Sequence, residues 1–332
     1  MKNNKRNFII IIVITAIILY FALKDNFAEK VKYLLSFDPK WLILAFILIL
    51  SYWFLKGLVL YYCASKVNEN YTEKKGILLM VTTQFFHAIT PFAAGGQPWQ
   101  IYKLKKDGLT LGESTNVVIQ DFIAYQIALV FLGGCAITSN YIFHIFPSDS
   151  LLKKLVTIGF IINTLVVIVL FIVAFSKKWN KKIIDGFISL LHKIKIIKNK
   201  EEQLKKSEKF IHNFHRSAII LFKDKFNMVR IISLNFIALV GQYLIPFTLL
   251  MGLGIYINPL IVIITSAYVM LIGSMVPIPG GTGGLEFSFM AFFKTFITGP
   301  KLSIIMIVWR LVTYYFGIVV GGLTLNFNKE AK

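Results

Sequence analysis

From Val276 to Leu285 the chain reads Val-Pro-Ile-Pro-Gly-Gly-Thr-Gly-Gly-Leu, with Glu286 next, and apolar residues lie on both sides. Proline removes a backbone donor and glycine loosens regular structure, so no unbroken helix passes through this run. In hydrocarbon every unpaired N–H or C=O costs several kcal/mol. A break at membrane depth therefore survives only where protein or a water-filled cavity covers it. Broken helices of this kind mark binding sites in membrane transporters.

The setting is membranous because 56% of the residues are apolar and gather into long blocks. Phe8 to Leu23, Trp41 to Tyr62, Val117 to Phe146, Leu155 to Phe175, Ile231 to Leu253 and Leu302 to Phe327 each approach or exceed the ~20 residues that cross a bilayer. Tyr20-Phe21-Ala22-Leu23-Lys24 offers no small-x-small cleavage site, so the first block reads as an uncleaved anchor. Removing these spans leaves no soluble catalytic domain.

A net charge of +20 suggests nucleic acid until its distribution is considered. Lys2, Lys5 and Arg6, then Lys66, Lys74 and Lys75, then Lys103, Lys105 and Lys106, and finally a basic block from Lys177 to Arg230 all fall between spans. They report orientation, and the positive-inside rule makes these segments and both termini cytoplasmic. Cys63 and Cys135 form neither a metal spacing nor a disulfide framework.

This orientation leaves two apolar segments that fit no single span. Ile77 to Ala94 has basic loops on both sides, so it is expected to enter from the cytoplasm, turn at Thr90-Pro91-Phe92-Ala93-Ala94-Gly95-Gly96-Gln97 and return. Leu260 to Val276 and Leu285 to Thr298 form a second hairpin, entering from the exterior around the Pro/Gly run. Arms of fourteen residues reach about 21 Å, past the centre of the bilayer. The tips are therefore expected to face each other. Their shared Pro-then-Gly-Gly pattern in opposite orientation is that of an inverted repeat. The expected fold class is an all-α polytopic membrane protein, one domain over 1–332, with about six full transmembrane helices and two re-entrant hairpins from opposite sides.

Residues 177–228 form a cytoplasmic amphipathic insertion. Trp179, Ile183, Ile184, Phe187, Leu190, Leu191 and Ile194 recur at helical spacing among lysines, and Leu204, Ile211, Phe214 and Ala218 repeat the pattern. Such a pair either lies against anionic headgroups or packs on its own bundle.

Ionisable residues inside the membrane carry the functional information, since they face a cavity or a partner. Arg310, about eight residues into the last span, either grips a phosphate with its guanidinium fork or pairs with Glu286 or Asp121. Glu286 stands at a half-helix N-terminus, where a carboxylate caps the helix, titrates during transport or recognises a cation. Asp121, about one turn into the third span beside Gln120 and Gln126, lines a vestibule or snorkels. His87 with Gln84 suggests a proton relay or a structural hydrogen bond. Lys294 attracts a headgroup or snorkels.

No HExxH, nucleophile elbow, Walker loop or metal-spaced cluster is present, so neither an enzyme nor a cofactor or metal protein is expected.

The string Val276-Pro277-Ile278-Pro279-Gly280-Gly281-Thr282-Gly283-Gly284-Leu285-Glu286, with Thr90-Pro91-Phe92-Ala93-Ala94-Gly95-Gly96-Gln97 and Arg310, resembles the YbhN-like family, the lysylphosphatidylglycerol synthase transmembrane region. The likeness covers nearly the whole chain, and the P-x-P-G-G-x-G-G-x-E string is its most specific part. It implies a bacterial inner-membrane protein that moves a phospholipid or polyisoprenyl-linked glycolipid between leaflets. Two departures qualify it. Fused relatives carry a soluble aminoacyl-transfer domain, whereas this sequence stops at Lys332, so it is not expected to make lysyl-phosphatidylglycerol itself. Gln97 also stands where many relatives are acidic, which bears on headgroup choice.

The expectation is a flippase whose anionic headgroup sits between the hairpins. Arg310, Glu286, Asp121, Lys294 and His87 would line this site with Pro277, Pro279, Gly280, Gly281, Gly283, Gly284, Thr90, Pro91, Gly95, Gly96 and Gln97. The alternative is a non-transporting membrane subunit that docks a separate lipid synthase or transferase. Expected partners are the lipid, such a synthase or further copies of the chain, with no nucleic acid.

Overall fold

A computed structural model describes residues 27–91, 94–146, 150–193, 200–273 and 278–330. The expected first span, Phe8 to Leu23, and Pro277 lie outside them. The described residues are helical, joined by one isolated antiparallel bridge.

Helix α1 (Phe27–Leu35) precedes α2 (Pro39–Ala64), which starts where Asp38 accepts from the Lys40 N–H and Pro39 occupies the first turn. Capping and a preset φ both favour a start there. One stripe of α2, Ile43, Ile47, Leu50 and Phe54, is exposed, while Ala45, Ile49, Trp53 and Lys56 are buried. An exposed stripe this apolar belongs to a helix that meets lipid rather than water.

The first hairpin is α3 (Glu73–Ala88) and α4 (Gly96–Lys106). Helix α5 (Leu111–Phe143) opens with a Thr110/Glu113 capping box and ends at left-handed His144. Helix α6 (Ser150–Phe175) is followed by α7 (Lys177–Lys193) and α8 (Lys200–Lys223). Asp224 caps α9 (Lys225–Tyr243), and the Lys66 ammonium and Asn227 N–H hold its carboxyl below the usual carboxylate range. A break at Leu244, before Pro246, separates α9 from α10 (Ile245–Gly252). The second hairpin is α11 (Pro259–Gly273) and α12 (Gly284–Phe293). Helix α13 (Gly299–Arg310) passes through a π turn (Leu311–Tyr315) into α14 (Phe316–Glu330).

Five helical segments are long and apolar enough to cross a membrane: Pro39–Ala64, Leu111–Phe143, Leu151–Phe175, Lys225–Gly252 and Gly299–Leu325. Their apolar centres match the expected spans, but α5 and α9 start six residues before the expected Val117 and Ile231. Their capped first turns are polar yet helical. The second hairpin departs further, since α12 ends at Phe293 instead of Thr298. Thr295, Phe296 and Ile297 form tight turns onto the Phe292 and Phe293 carbonyls, and Gly299 at φ +67° starts a new helix. The ten residues of α12 reach about 15 Å.

The last helix passes both hairpins. Trp309 of α13 stacks on Phe289 of α12 at 4.8 Å, and Gly317 and Gly321 of α14 abut α3, where a Cβ on Gly321 would lie 2.8 Å from the Val81 carbonyl oxygen. On its other side α3 meets α2 through Gly76, whose Cβ would lie 2.5 Å from the Gly57 oxygen. Small residues let helix backbones approach this closely where lipid supplies no hydrophobic drive. With the hairpins aligned along one helix, Pro91 of the first tip forms its bridge to Pro279 of the second.

The amphipathic pair divides its work. Helix α8 buries Ile211, Phe214 and Ala218 and lies so close to α5 that a Cβ on Gly112 would sit 2.8 Å from the Phe214 nitrogen. Helix α7 packs on α8, with Ile188 buried but Trp179, Ile183 and Leu190 exposed.

Gly321→Leu should destabilise the protein by roughly 1–3 kcal/mol through overpacking, read as earlier thermal denaturation in detergent. Gly241→Ala, with nothing within 4 Å, should leave the transition unchanged or slightly higher.

Candidate functional site

Among the described residues the second tip is tied by turn hydrogen bonds, from the Gly281 N–H to the Ile278 carbonyl and from the Thr282 N–H to the Pro279 carbonyl, and Arg310 serves the Gly280 carbonyl from outside the turn. Its guanidinium donates from Nη1 and Nη2 to the Gly280 carbonyl, each at 3.3 Å, and from Nη2 to Thr282 Oγ1 at 3.2 Å. Its Nε lies 2.7 Å from Glu286 Oε1 in an ion pair. The other carboxylate oxygen of Glu286 accepts the Gly283 N–H at 2.7 Å, capping α12. Arg310 and Glu286 are 4% and 9% exposed, so each charge needs the other.

The Arg310 guanidinium also lies 4.3 Å from the centre of the Tyr314 ring, a cation–π contact one turn along. The Tyr314 hydroxyl donates to the Ala88 carbonyl at 3.1 Å, where α3 ends. Arginine, tyrosine and carbonyl thus join one hairpin to the other. Gly280 is required here twice over: its φ is +62°, and a Cβ would lie 2.0 Å from Tyr314 Cε2. In the first tip Thr90 Oγ1 accepts the Gly95 N–H at 2.7 Å, and the His87 ring occupies the space that a Cβ on Gly96 would need.

Between the tips and the long helices lies a cavity of about 690 Å³. Both tips reach it, through His87, Ala94 and Gln97 on one side and Gly280, Gly281 and Arg310 on the other. A second charge pair, Lys56 with Asp121, forms another part of its wall. The Lys56 ammonium donates to Asp121 Oδ1 and, at 2.8 Å, to Asn235 Oδ1, drawing α2, α5 and α9 together. The remaining wall is apolar with amide groups, among them Gln84, Gln100, Gln126, Asn163 and Gln242. Gln97 Oε1 and Gln242 Oε1 are buried without a protein partner. The size suits a small-molecule or headgroup site, and the amides could fix an occupant's orientation. Among the described residues no group of three or more His, Cys, Asp or Glu could hold a metal ion.

The expected site residues separate into three groups. Arg310, Asp121, His87, Gln97, Gly280 and Gly281 line the cavity. Glu286, Gly283, Gly284, Thr90, Pro91, Gly95, Gly96 and Pro279 build or hold the tips. Lys294 stands apart, exposed at the far end of α12. Of the roles open to Arg310, pairing with Glu286 is the one its geometry shows, and Asp121 pairs elsewhere. Asp121 lies ten residues into α5, roughly 15 Å from its capped start by helical rise. Lys56 and Asn235 were missed. The signal was available, since a lysine inside an apolar span obeys the same rule that singled out Arg310.

Comparison with known proteins places this architecture. The model of the family described as the lysylphosphatidylglycerol synthase TM region matches residues 8–321. A UPF0104 membrane protein of Archaeoglobus fulgidus is 26% identical over 297 residues, covering 86% of each chain.

Glu286→Ala leaves Arg310 buried without its counter-charge and should cost about 3–5 kcal/mol of stability. Lys294→Ala, on the exposed end of the same hairpin, should change it by less than about 0.5 kcal/mol. Denaturant titration of the two variants in detergent measures both.

Proposed function

We propose, since the chain belongs to the lysylphosphatidylglycerol synthase transmembrane-region family, that this multi-pass membrane protein translocates an anionic lipid between leaflets. The headgroup occupies the central cavity while the acyl or polyisoprenyl tails stay in the bilayer. The observation that carries this reading is the cavity itself, lined by helices long and apolar enough to span a membrane and reached by both hairpin tips. A chamber with charged and amide groups set in an apolar wall lowers the cost of taking a charged headgroup through hydrocarbon. The bridge between the tips and the Tyr314 hydrogen bond provide a joint that can part on either side of the bound headgroup. The basic segments orient the first hairpin to the cytoplasm and the second to the exterior, in the inner membrane of a bacterial cell. Phospholipids and polyisoprenyl-linked glycolipids share the phosphate such a chamber would receive. Binding and movement suffice for this role, without catalysis.

A second reading is a membrane subunit that docks a separate lipid synthase. The exposed Trp179, Ile183 and Leu190 on α7 favour it, because α8 already covers the opposite face of that helix.

Proteoliposomes carrying fluorescent phosphatidylglycerol distinguish the two. Translocation should expose inner-leaflet label to an external quencher, and Gln97→Trp, which fills the cavity beside the first tip, should slow it about tenfold for a barrier raised by about 1.4 kcal/mol. Unchanged exposure for every anionic lipid tested would count decisively against transport.

A further inference from the structure

We propose that Lys56 is the anion anchor of the cavity, and that Asp121 takes up a proton when a phosphate draws the lysine away, so that each anion binds with one proton. This rests on the headgroup reading above and names the cavity group that holds the charge.

Arg310 is the obvious phosphate ligand, yet its fork is committed to Gly280, Thr282 and Glu286. Moving it would leave the Gly280 carbonyl without its donors and Glu286 without its counter-charge. Lys56 is differently placed. An ammonium carries three donors; two make hydrogen bonds, one to Asp121 and one to Asn235, and the Tyr125 ring lies 5.3 Å from the charge, a contact weaker than a phosphate would offer. The side chain lines the cavity, and its four-carbon stem lets the charge move where a guanidinium fork is held flat. Asn235 is oriented by its own bond to the Ile231 carbonyl at 2.9 Å, so its oxygen stays available to the lysine. A buried ion pair is also weak support for a fold, since an apolar pair of similar volume often serves as well. Its position on the cavity wall is better explained by use.

Charge balance requires the proton. Lys56 and Asp121 are 5% and 6% exposed and together neutral. A phosphate monoanion that takes over Lys56 leaves the Asp121 carboxylate buried and alone, a state that resolves by neutralisation. The lysine stays an ammonium, the aspartate becomes the acid, and the site with its guest is neutral again. Other titratable groups near Asp121 are Tyr52 and Cys63 of α2 and Tyr125 of α5, with Tyr243 of α9 beside the two tyrosines. His87 and Arg310 share the cavity. Among the described residues α4, α6 and α11 add no titratable side chain to its wall. His87 is therefore the competing proton acceptor.

The test uses the full chain in phosphatidylcholine nanodiscs, with dioctanoyl-phosphatidylglycerol and inorganic phosphate as separate probes and a pH dye in weak buffer. Binding of the lipid should take up about one proton, and its affinity should fall about tenfold per pH unit, as reciprocal linkage requires. Asp121→Asn should abolish both the uptake and the slope. The double variant Lys56→Gln/Asp121→Asn keeps a neutral, hydrogen-bonding pair, so it should fold with near-normal thermal stability while losing tight binding. Lipid binding without proton uptake, or uptake lost with His87→Gln but kept with Asp121→Asn, overturns this inference and leaves the headgroup reading intact. Inorganic phosphate bound at a pH acid enough for it to be the monoanion, with one proton that Asp121→Asn abolishes, while the lipid does not bind, upholds the anchor and overturns its lipid occupant. Binding of neither probe overturns both.

Discussion

A turn made of prolines and glycines inside an apolar bundle exposes carbonyls and amides that no helix can satisfy, and short turn bonds, one carboxylate and one guanidinium share the work of satisfying them. Arg310 takes the Gly280 carbonyl and the Thr282 hydroxyl, while Glu286 both neutralises it and caps α12 through the Gly283 N–H. The same arginine lies against Tyr314, whose hydroxyl reaches the first hairpin at Ala88. Because Arg310 sits where α13 gives way to a π turn, the last helix is locally irregular at the point where both hairpins meet it. π turns within helices are frequent at functional sites.

Two hairpins meeting at their tips leave room beside them, and the surrounding helices close it into a chamber. The tight glycine contacts among α2, α3 and α14 hold one side closely packed, so the chamber does not collapse into it. Charge is distributed unequally around the wall. Arg310 is committed to the tip it holds through Gly280, Thr282 and Glu286, whereas Lys56 on the cavity wall is shared between Asp121 and Asn235 and lies 5.3 Å from the Tyr125 ring. A structural pair and a pair open to exchange can thus share one cavity.

Much of the architecture was legible because bilayer thickness and backbone satisfaction leave few choices. Apolar blocks located the spans, basic loops implied the hairpins, and the Pro/Gly run located the second tip. Helix ends were less legible, because the capped first turns of α5 and α9 are polar and the apolar pattern begins later. The second arm also fell short of Thr298, since its apolar character continues through a turn that Gly299 and Pro300 impose. Within the site, Arg310, Asp121 and His87 were found by the rule that ionisable groups in a span face a cavity, and Gln97 by the turn motif of the first hairpin. Which partner each would choose was not legible, because pairing depends on how helices distant in sequence rotate against one another. Asp121 meets Lys56 across 65 positions of the chain. Lys294 is exposed at the end of α12, away from the cavity.

The claim on which the account rests is that a lipid headgroup occupies the chamber between the tips. Native mass spectrometry of the purified protein, alongside a Gln97→Trp variant of equal thermal stability, tests it most directly. The account predicts an anionic phospholipid or polyisoprenyl phosphate retained by the unmodified chain and lost from the variant. An identical lipid complement on both proteins, or no anionic lipid on either, would contradict it.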